Sequence, residues 1–202
     1  HVVNLPRAME ELKEAGDMAF ARFPEEAAFL SIKGLADYQL GDFHAVIADS
    51  QRMIDSFPND EKAKLEAYAT IGDTYHMLGE EVLAYKAYDK ALKIDPEYVP
   101  VLNNYAYYLS MSRKKLKKAY AMSKITVEKE PDNATYLDTF AWILHLQGKS
   151  LEAKSFFKHA MLYGGKDSST ILEHFAEVLK SLGEDDLARV YFDQASKKKA
   201  AE

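Results

Sequence analysis

Residues 68–96, YATIGDTYHMLGEEVLAYKAYDKALKIDP, are the most informative part of the chain. Apolar residues in this stretch recur at spacings of three and four, which places them on one face of a helix. Gly79 interrupts the spacing, and a glycine can adopt the left-handed conformation that ends a helix. Pro96 ends the second half, because the residue before a proline is disfavoured in the α conformation. The stretch therefore predicts two helices joined by a tight turn.

The same pattern returns along the chain at intervals close to 34 residues. Small residues mark both helices of each unit, and a glycine marks most of the turns between them. The markers are Gly34, Gly72, Ala106, Ala141 and Ala176, then Ala45, Ala84, Ala119, Ala153 and Ala188, and the turn glycines Gly41, Gly79, Gly148 and Gly183. The first interval of 38 residues predicts a short insertion around residues 59–65. A period of this length is typical of helical repeat proteins.

The composition excludes several classes of protein. With 48% hydrophobic and 29% charged residues over 202 positions, the chain has an ordinary globular composition. Its net charge of −6 disfavours general binding to a phosphate backbone, so we expect no nucleic-acid partner. No apolar run approaches the roughly 20 residues of a membrane span, so we expect no direct membrane insertion. The absence of cysteine excludes disulfides and thiolate zinc sites.

The repeated unit resembles the tetratricopeptide repeat over roughly residues 26–198. The second unit matches that family's pattern of large apolar, small, aromatic and closing residues at Tyr68, Ile71, Gly72, Tyr75, Ala84, Tyr88, Ala91 and Pro96. The third unit departs, with Thr126 at an alanine position and a turn one residue longer. The first departs most, with a shortened turn and Met53 near the alanine position.

This resemblance implies an all-α fold, a right-handed superhelical solenoid of antiparallel helix pairs. We predict a single domain over residues 1–202, with an unpaired leading helix over 6–22. Five pairs follow at about 26–58, 65–98, 99–131, 134–165 and 169–198. A single pair cannot bury its apolar face alone, whereas stacked pairs can. The first helices of the pairs would then form the concave wall of a groove.

Residues 103–109, 136–142 and 171–175 also resemble the C-terminal part of large bacterial repeat proteins, many of them exported or lipid-anchored. This second resemblance implies that the chain is one end of a longer solenoid. It favours a periplasmic or outer-membrane-associated location and leaves a cytoplasmic one open.

Helical phase predicts which side chains face the groove. The stripe beside the buried one is aromatic, methionine-bearing and acidic, and it comprises Tyr38, Asp73, His76, Met77, Asn103, Tyr107, Met111, Asp138, Trp142, His145, Glu173 and Glu177. Tryptophan and tyrosine are common interface anchors, and methionine adapts to varied partners. We expect a protein or peptide partner with apolar residues and at least one Lys or Arg. Two alternatives stay open: packing between helices for the aromatic residues, and a solvated face for the acids.

No motif for catalysis, cofactor binding or metal binding is present. The histidines lack an H-E-x-x-H spacing, and residues 164–166 lack the upstream glycine of a phosphate loop and predict a turn between units. We therefore predict a non-catalytic scaffold with no cofactor and no metal, with an enzyme as the weakest alternative. The other alternative is a structural or oligomerisation module of a larger bacterial envelope protein. Val190 and Tyr191 would lie uncovered on the last helix, which leaves a homo-oligomer open.

Overall fold

The computed structural model describes residues 4–201. Within this range the chain forms eleven α-helices, one short 3₁₀ turn at Gly165–Asp167, and no strand. The helices are α1 Leu5–Arg22, α2 Ala28–Gln39, α3 Phe43–Ser56, α4 Glu61–Met77, α5 Glu81–Ile94, α6 Val99–Met111, α7 Leu116–Lys129, α8 Ala134–Leu146, α9 Ser150–Leu162, α10 Ser169–Ser181 and α11 Asp185–Lys199. The predicted all-α class is confirmed. In the same range, no helix combines the length and the apolar character that crossing a membrane requires.

The chain divides into two compact units, His1–Val101 and Leu102–Glu202. In the first unit, each helix from α1 to α4 packs against the next one along the chain. In the second unit, the same holds for each helix from α7 to α10. The single domain over the whole chain stays a prediction.

Each unit has its own apolar core. In the first, Phe20, Leu30 and Ile71 belong to one buried cluster. In the second, the rings of Phe157 and Phe175 stack with their centroids 5.5 Å apart. Four small marker residues of the second helices are buried, which allows neighbouring helices to approach closely; they are Ala84, Ala119, Ala153 and Ala188.

Local sequence explains where many helices begin. The side chains of Asp42, Asp60, Asn133 and Ser168 each accept a hydrogen bond from a backbone N–H of the helix that follows. An N-cap of this kind satisfies a donor that has no partner inside the helix, and it stabilises the helix by about 1 kcal/mol.

The turns inside the helix pairs share one geometry. Gly79 adopts a φ of 77°, its N–H donates to the carbonyl of His76, and the next N–H, that of Glu80, donates to the carbonyl of Tyr75. Gly41, Gly148 and Gly183 form the same pair of bonds with φ of 76° to 82°. This is the Schellman motif, in which the left-handed residue after the helix is usually glycine.

The third turn forms the same bonds without a glycine. Arg113 takes the left-handed position with a φ of 52°, and its N–H donates to the carbonyl of Ser110. Lys115 also has a φ of 52°, and it is the extra residue of this longer turn. A side chain in this conformation costs roughly 1–2 kcal/mol, so the third turn is strained where the others are not.

Three expectations need correction. The leading helix is not unpaired, since α1 packs against α2. The second pair begins at Glu61, because the insertion adds a turn to α4, which has 17 residues whereas α8 has 13. The first pair has no shortened turn: α3 begins two residues after Gly41, as α5 does after Gly79, and the buried marker is Val46 rather than Ala45.

The end of the chain also differs from the expectation. Tyr191 is not uncovered, because its ring lies 4.7 Å from that of Phe175. Val190 is exposed on α11, as predicted, together with Leu187.

Candidate functional site

In the second unit, α6, α8 and the start of α10 border a cleft of about 310 Å³. Its lining is mostly polar and consists of Asn103, Asn104, Tyr107, Tyr108, Thr135, Asp138, Thr139, Ser168, Thr170 and Ile171. Three of the predicted groove residues, Asn103, Tyr107 and Asp138, are therefore brought together here. All three lie on α6 and α8, which are the first helices of their pairs.

A buried hydrogen bond lies beside the cleft. The Nδ1–H of His174 donates to Oδ1 of Asp138 over 2.9 Å, and both residues are buried. The two residues are 36 positions apart, so this bond links α8 to α10. The alternative that Asp138 belongs to a solvated face is therefore wrong.

An aromatic platform continues from this pair. The indole of Trp142 stacks on the imidazole of His174, with centroids 4.2 Å apart and planes 14° apart. The ring of Tyr107 lies 6.5 Å from His174, and that of His145 lies 5.2 Å from Trp142. Trp142, Tyr107 and His145 are each half-buried, so they combine packing between helices with some exposure.

Burial shifts the titration of two members of the platform. The pKa of Tyr107 is raised because burial disfavours the phenolate, and the nearby charge of Asp138 adds to the effect. The pKa of His145 is lowered because burial disfavours the imidazolium. Both groups are therefore favoured in their neutral forms at neutral pH.

Asn103 is a buried polar side chain with an unused acceptor. Its Nδ2–H donates to Oδ1 of Asn104 over 3.4 Å, but its own Oδ1 has no hydrogen-bond partner among residues 4–201. A buried carbonyl oxygen without a partner costs about 1–3 kcal/mol. The cleft thus contains a polar atom that a ligand could satisfy.

The other predicted residues of the second unit are more dispersed. Met111 and Glu177 are exposed. Glu173 is half-buried and forms an ion pair with Lys199, whose Nζ lies 2.6 Å from its Oε1. The platform itself includes His174, which helical phase did not select because it falls outside the expected stripe.

Four predicted residues lie in the first unit. Tyr38 and Met77 are exposed there, and His76 is half-buried, with a pKa lowered chiefly by burial. The hydroxyl of Tyr88 donates to Oδ1 of Asp73, so this carboxylate already has one partner.

The first unit also contains a buried ionic cluster that the sequence analysis missed. The Nζ of Lys33 lies 2.8 Å from Asp37 and 2.5 Å from Asp49, and all three residues are buried. Lys13 on α1 pairs with Asp37 and with Asp42. The sequence contains one indication of this cluster: Lys33 and Asp37 are four residues apart at positions that are apolar in the other pairs.

The shifts within this cluster follow from burial and pairing. Burial acts to lower the pKa of Lys33, but hydrogen bonds to Asp37 and Asp49 outweigh it and the pKa is raised. Burial acts to raise the pKa of Asp37, but the two lysines outweigh it and the pKa is lowered. The pKa of Asp49 is raised, chiefly by burial. No group of three or more acidic or histidine side chains within residues 4–201 could hold a metal ion.

Comparison with known families agrees with the repeat pattern. Two family models described as tetratricopeptide repeats match residues 87–121 and 65–98. The two models together cover residues 65–121, so this part of the chain consists of tetratricopeptide repeats. Tetratricopeptide-repeat proteins bind proteins or peptides and are typically non-catalytic scaffolds. The matches support a protein-interaction scaffold in that general sense.

Solved structures share the tetratricopeptide-repeat fold at low sequence identity. BtubC from P. vanneervenii matches with a TM-score of 0.77 and 16% identity, over 97% of this chain and 90% of its own. Pseudomonas aeruginosa pilF matches with a TM-score of 0.70 and 19% identity, over 95% of this chain and 78% of its own. A tetratricopeptide repeat protein from Parabacteroides merdae matches with a TM-score of 0.68 and 15% identity, over 95% of this chain and 72% of its own. No curated protein sequence matches the chain.

Proposed function

We propose that the second unit binds a segment of a partner protein in the cleft between α6, α8 and α10, without catalysing a reaction. The observation that carries this proposal is the buried Asn103, which lines the cleft and whose Oδ1 has no partner in the described part of the chain. A backbone N–H or an ammonium group of a bound segment would supply the missing donor.

Charge favours a basic segment over an acidic one. Asp138 lines the cleft, and Glu177, on α10, is exposed. These carboxylates repel a ligand carboxylate and attract Lys or Arg. Trp142 and Tyr107 offer half-buried rings to an apolar residue of the same segment.

The experiment is a selection followed by a titration. Peptides from a random display library are selected on the protein, and their affinities are measured by the fluorescence of Trp142, the only tryptophan in the chain. We expect enrichment of peptides that combine apolar residues with Lys or Arg, and a change of tryptophan emission on binding. Enrichment of acidic peptides would contradict the proposal.

Two variants locate the binding. Asn103→Ala removes the unused acceptor, and we expect it to weaken a selected peptide about tenfold, the equivalent of one hydrogen bond to a charged or backbone donor. Tyr163→Ala is the control, because Tyr163 is exposed at the end of α9 and does not line the cleft. Equal affinity for the wild type and Asn103→Ala would move the binding site elsewhere.

The exposed pair Leu187 and Val190 on α11 supports a second candidate function, self-association through this helix. Sizing chromatography across a dilution series tests it. A monomer at every concentration removes this candidate and leaves the cleft proposal untouched.

A further inference from the structure

The space beside the equivalent glycine is filled in the second helix pair and open in the first. In the second pair, Gly72 on α4 lies against the ring of Tyr88 on α5, and a Cβ on Gly72 would overlap that ring. In the first pair, the equivalent residues are Gly34 and Ser50, with the same separation in sequence. Among residues 4–201, no atom outside the adjoining backbone of α2 lies within 4 Å of a Cβ placed on Gly34. The ring that fills the second pair has no counterpart in the first.

The absence of that ring leaves a cleft in the first unit. It has a volume of about 310 Å³, and its lining includes Leu30, Gly34, Val46, Asp49, Ser50 and Met53. This volume is at the lower end of the range for small-molecule sites, about 300–1,000 Å³. It therefore has room for one buried side chain of a partner.

The lining determines what kind of side chain fits. Leu30, Val46 and Met53 are buried apolar residues, so the walls are hydrophobic. Asp49 and Ser50 are buried polar residues, and Asp49 is held in place by Lys33. Both groups can accept a hydrogen bond. Within the described range, no Lys or Arg lines the cleft, so a negatively charged side chain would find no partner there.

We propose that this cleft binds the ring of a tyrosine side chain presented by a partner protein. The second pair supplies the precedent, because there a tyrosine ring fills the equivalent space and its hydroxyl donates to a carboxylate, that of Asp73. In the first pair, Leu35 stands at the position of Asp73, and the carboxylate that lines the cleft is that of Asp49 on α3. The site shares no residue with the cleft between α6, α8 and α10, so either proposal can fail without the other.

The test uses 4-methylphenol, which is the side chain of tyrosine as a free molecule. It is titrated into ¹⁵N-labelled protein and followed by amide chemical shifts. We expect saturable shifts at Gly34, Ser50 and Leu30, with a millimolar dissociation constant. Toluene tests the contribution of the hydroxyl, and n-butylammonium tests whether the cleft takes a cationic side chain instead.

Ser50→Tyr fills the cleft from within the chain, as Tyr88 fills the second pair. We expect it to weaken 4-methylphenol binding at least tenfold and to raise Tm by about 2–4 °C, as a filled cavity does in a chain of this size. Gly34→Leu fills the same space from α2 and serves if the first variant does not fold. The control is Ala48→Tyr, which adds the same ring at an exposed position of the same helix.

Three results would overturn the proposal. The first is the absence of saturable binding of 4-methylphenol to the wild type. The second is unchanged binding in both filled variants, which would place the probe elsewhere. The third is tighter binding of n-butylammonium than of 4-methylphenol, which would make the cleft a site for lysine.

Discussion

The first and fourth helix pairs have the same helices and turns but different interiors. In the fourth pair, Phe140 and Leu144 on α8 are buried apolar residues. At the equivalent positions of α2 the first pair has Lys33 and Asp37, which are also buried but joined by an ion pair. The helical scaffold therefore accepts either interior, provided that every buried charge has a partner.

The two interiors differ in what they demand of their neighbours. Apolar residues such as Phe157 need only volume and complementary shape. Lys33 needs Asp37 and Asp49 at hydrogen-bonding distance, and Asp37 also pairs with Lys13 on α1. The first pair should therefore be sensitive to the loss of a single charge.

The largest effect is expected for Lys33→Met. This change leaves Asp37 and Asp49 buried without their shared cation, and the free energy of unfolding should fall by about 3–5 kcal/mol. Urea unfolding followed by circular dichroism measures it. The control is Lys33→Phe with Asp37→Leu and Asp49→Ala, which removes all three charges and should cost much less. A loss below about 1 kcal/mol for Lys33→Met would show that the cluster is not desolvated.

The pH dependence of stability should distinguish the charged interior of the first pair from an apolar one. The pKa of Lys33 is raised above its ordinary 10.5, so its stabilising contribution is complete below that pH and is lost as the pH rises through the folded value. The pKa of Asp37 is lowered below 3.8, so its contribution is present above that pH and is lost as the pH falls. Stability measured from pH 9 to 12 should fall more steeply for the wild type than for the triple variant.

Two glycines should respond oppositely to the same substitution. Gly72→Ala places a methyl group on the ring of Tyr88, and overpacking of this kind costs about 1–3 kcal/mol. Gly34→Ala meets open space, and it should stabilise α2 by about 0.5–1 kcal/mol because alanine is the better helix former. Thermal unfolding of both variants shows whether each substitution raises or lowers the stability. A loss of stability in both variants would mean that the cleft beside Gly34 is closed in solution.

The smallest effect concerns the third and fourth turns. Arg113→Gly should stabilise the protein by about 1 kcal/mol, because it relieves a side chain with a φ of 52°. Gly148→Arg, at the equivalent position with a φ of 82°, should destabilise it by a similar amount. Urea midpoints measure both changes. Destabilisation by Arg113→Gly would show that the arginine side chain has a role beyond the turn.

Sequence reasoning succeeded where the cause is local. Gly79 and Pro96 predicted a turn and a helix end because both act through the backbone of a few adjacent residues. It failed for Ala45, because the choice of the alanine implied a shortened turn, whereas α3 begins at the same distance from its glycine as α5 does. Trp142 and Asp138 were selected by helical phase, but His174, which joins them, was not.

By itself, the sequence determined the helix pairs, their period and their turns, because spacing, capping and glycine conformation operate within one or two helical turns. Only the tertiary structure decided which polar residues are buried and what they bind. The partners of Lys33 include Asp49, 16 positions away, and that of His174 is Asp138, 36 away. Such pairs depend on how two helices face each other, and their sequence patterns resemble those of exposed charges. The cleft beside Gly34 follows from the same cause, since Ser50 leaves open the space that the ring of Tyr88 fills in the second pair.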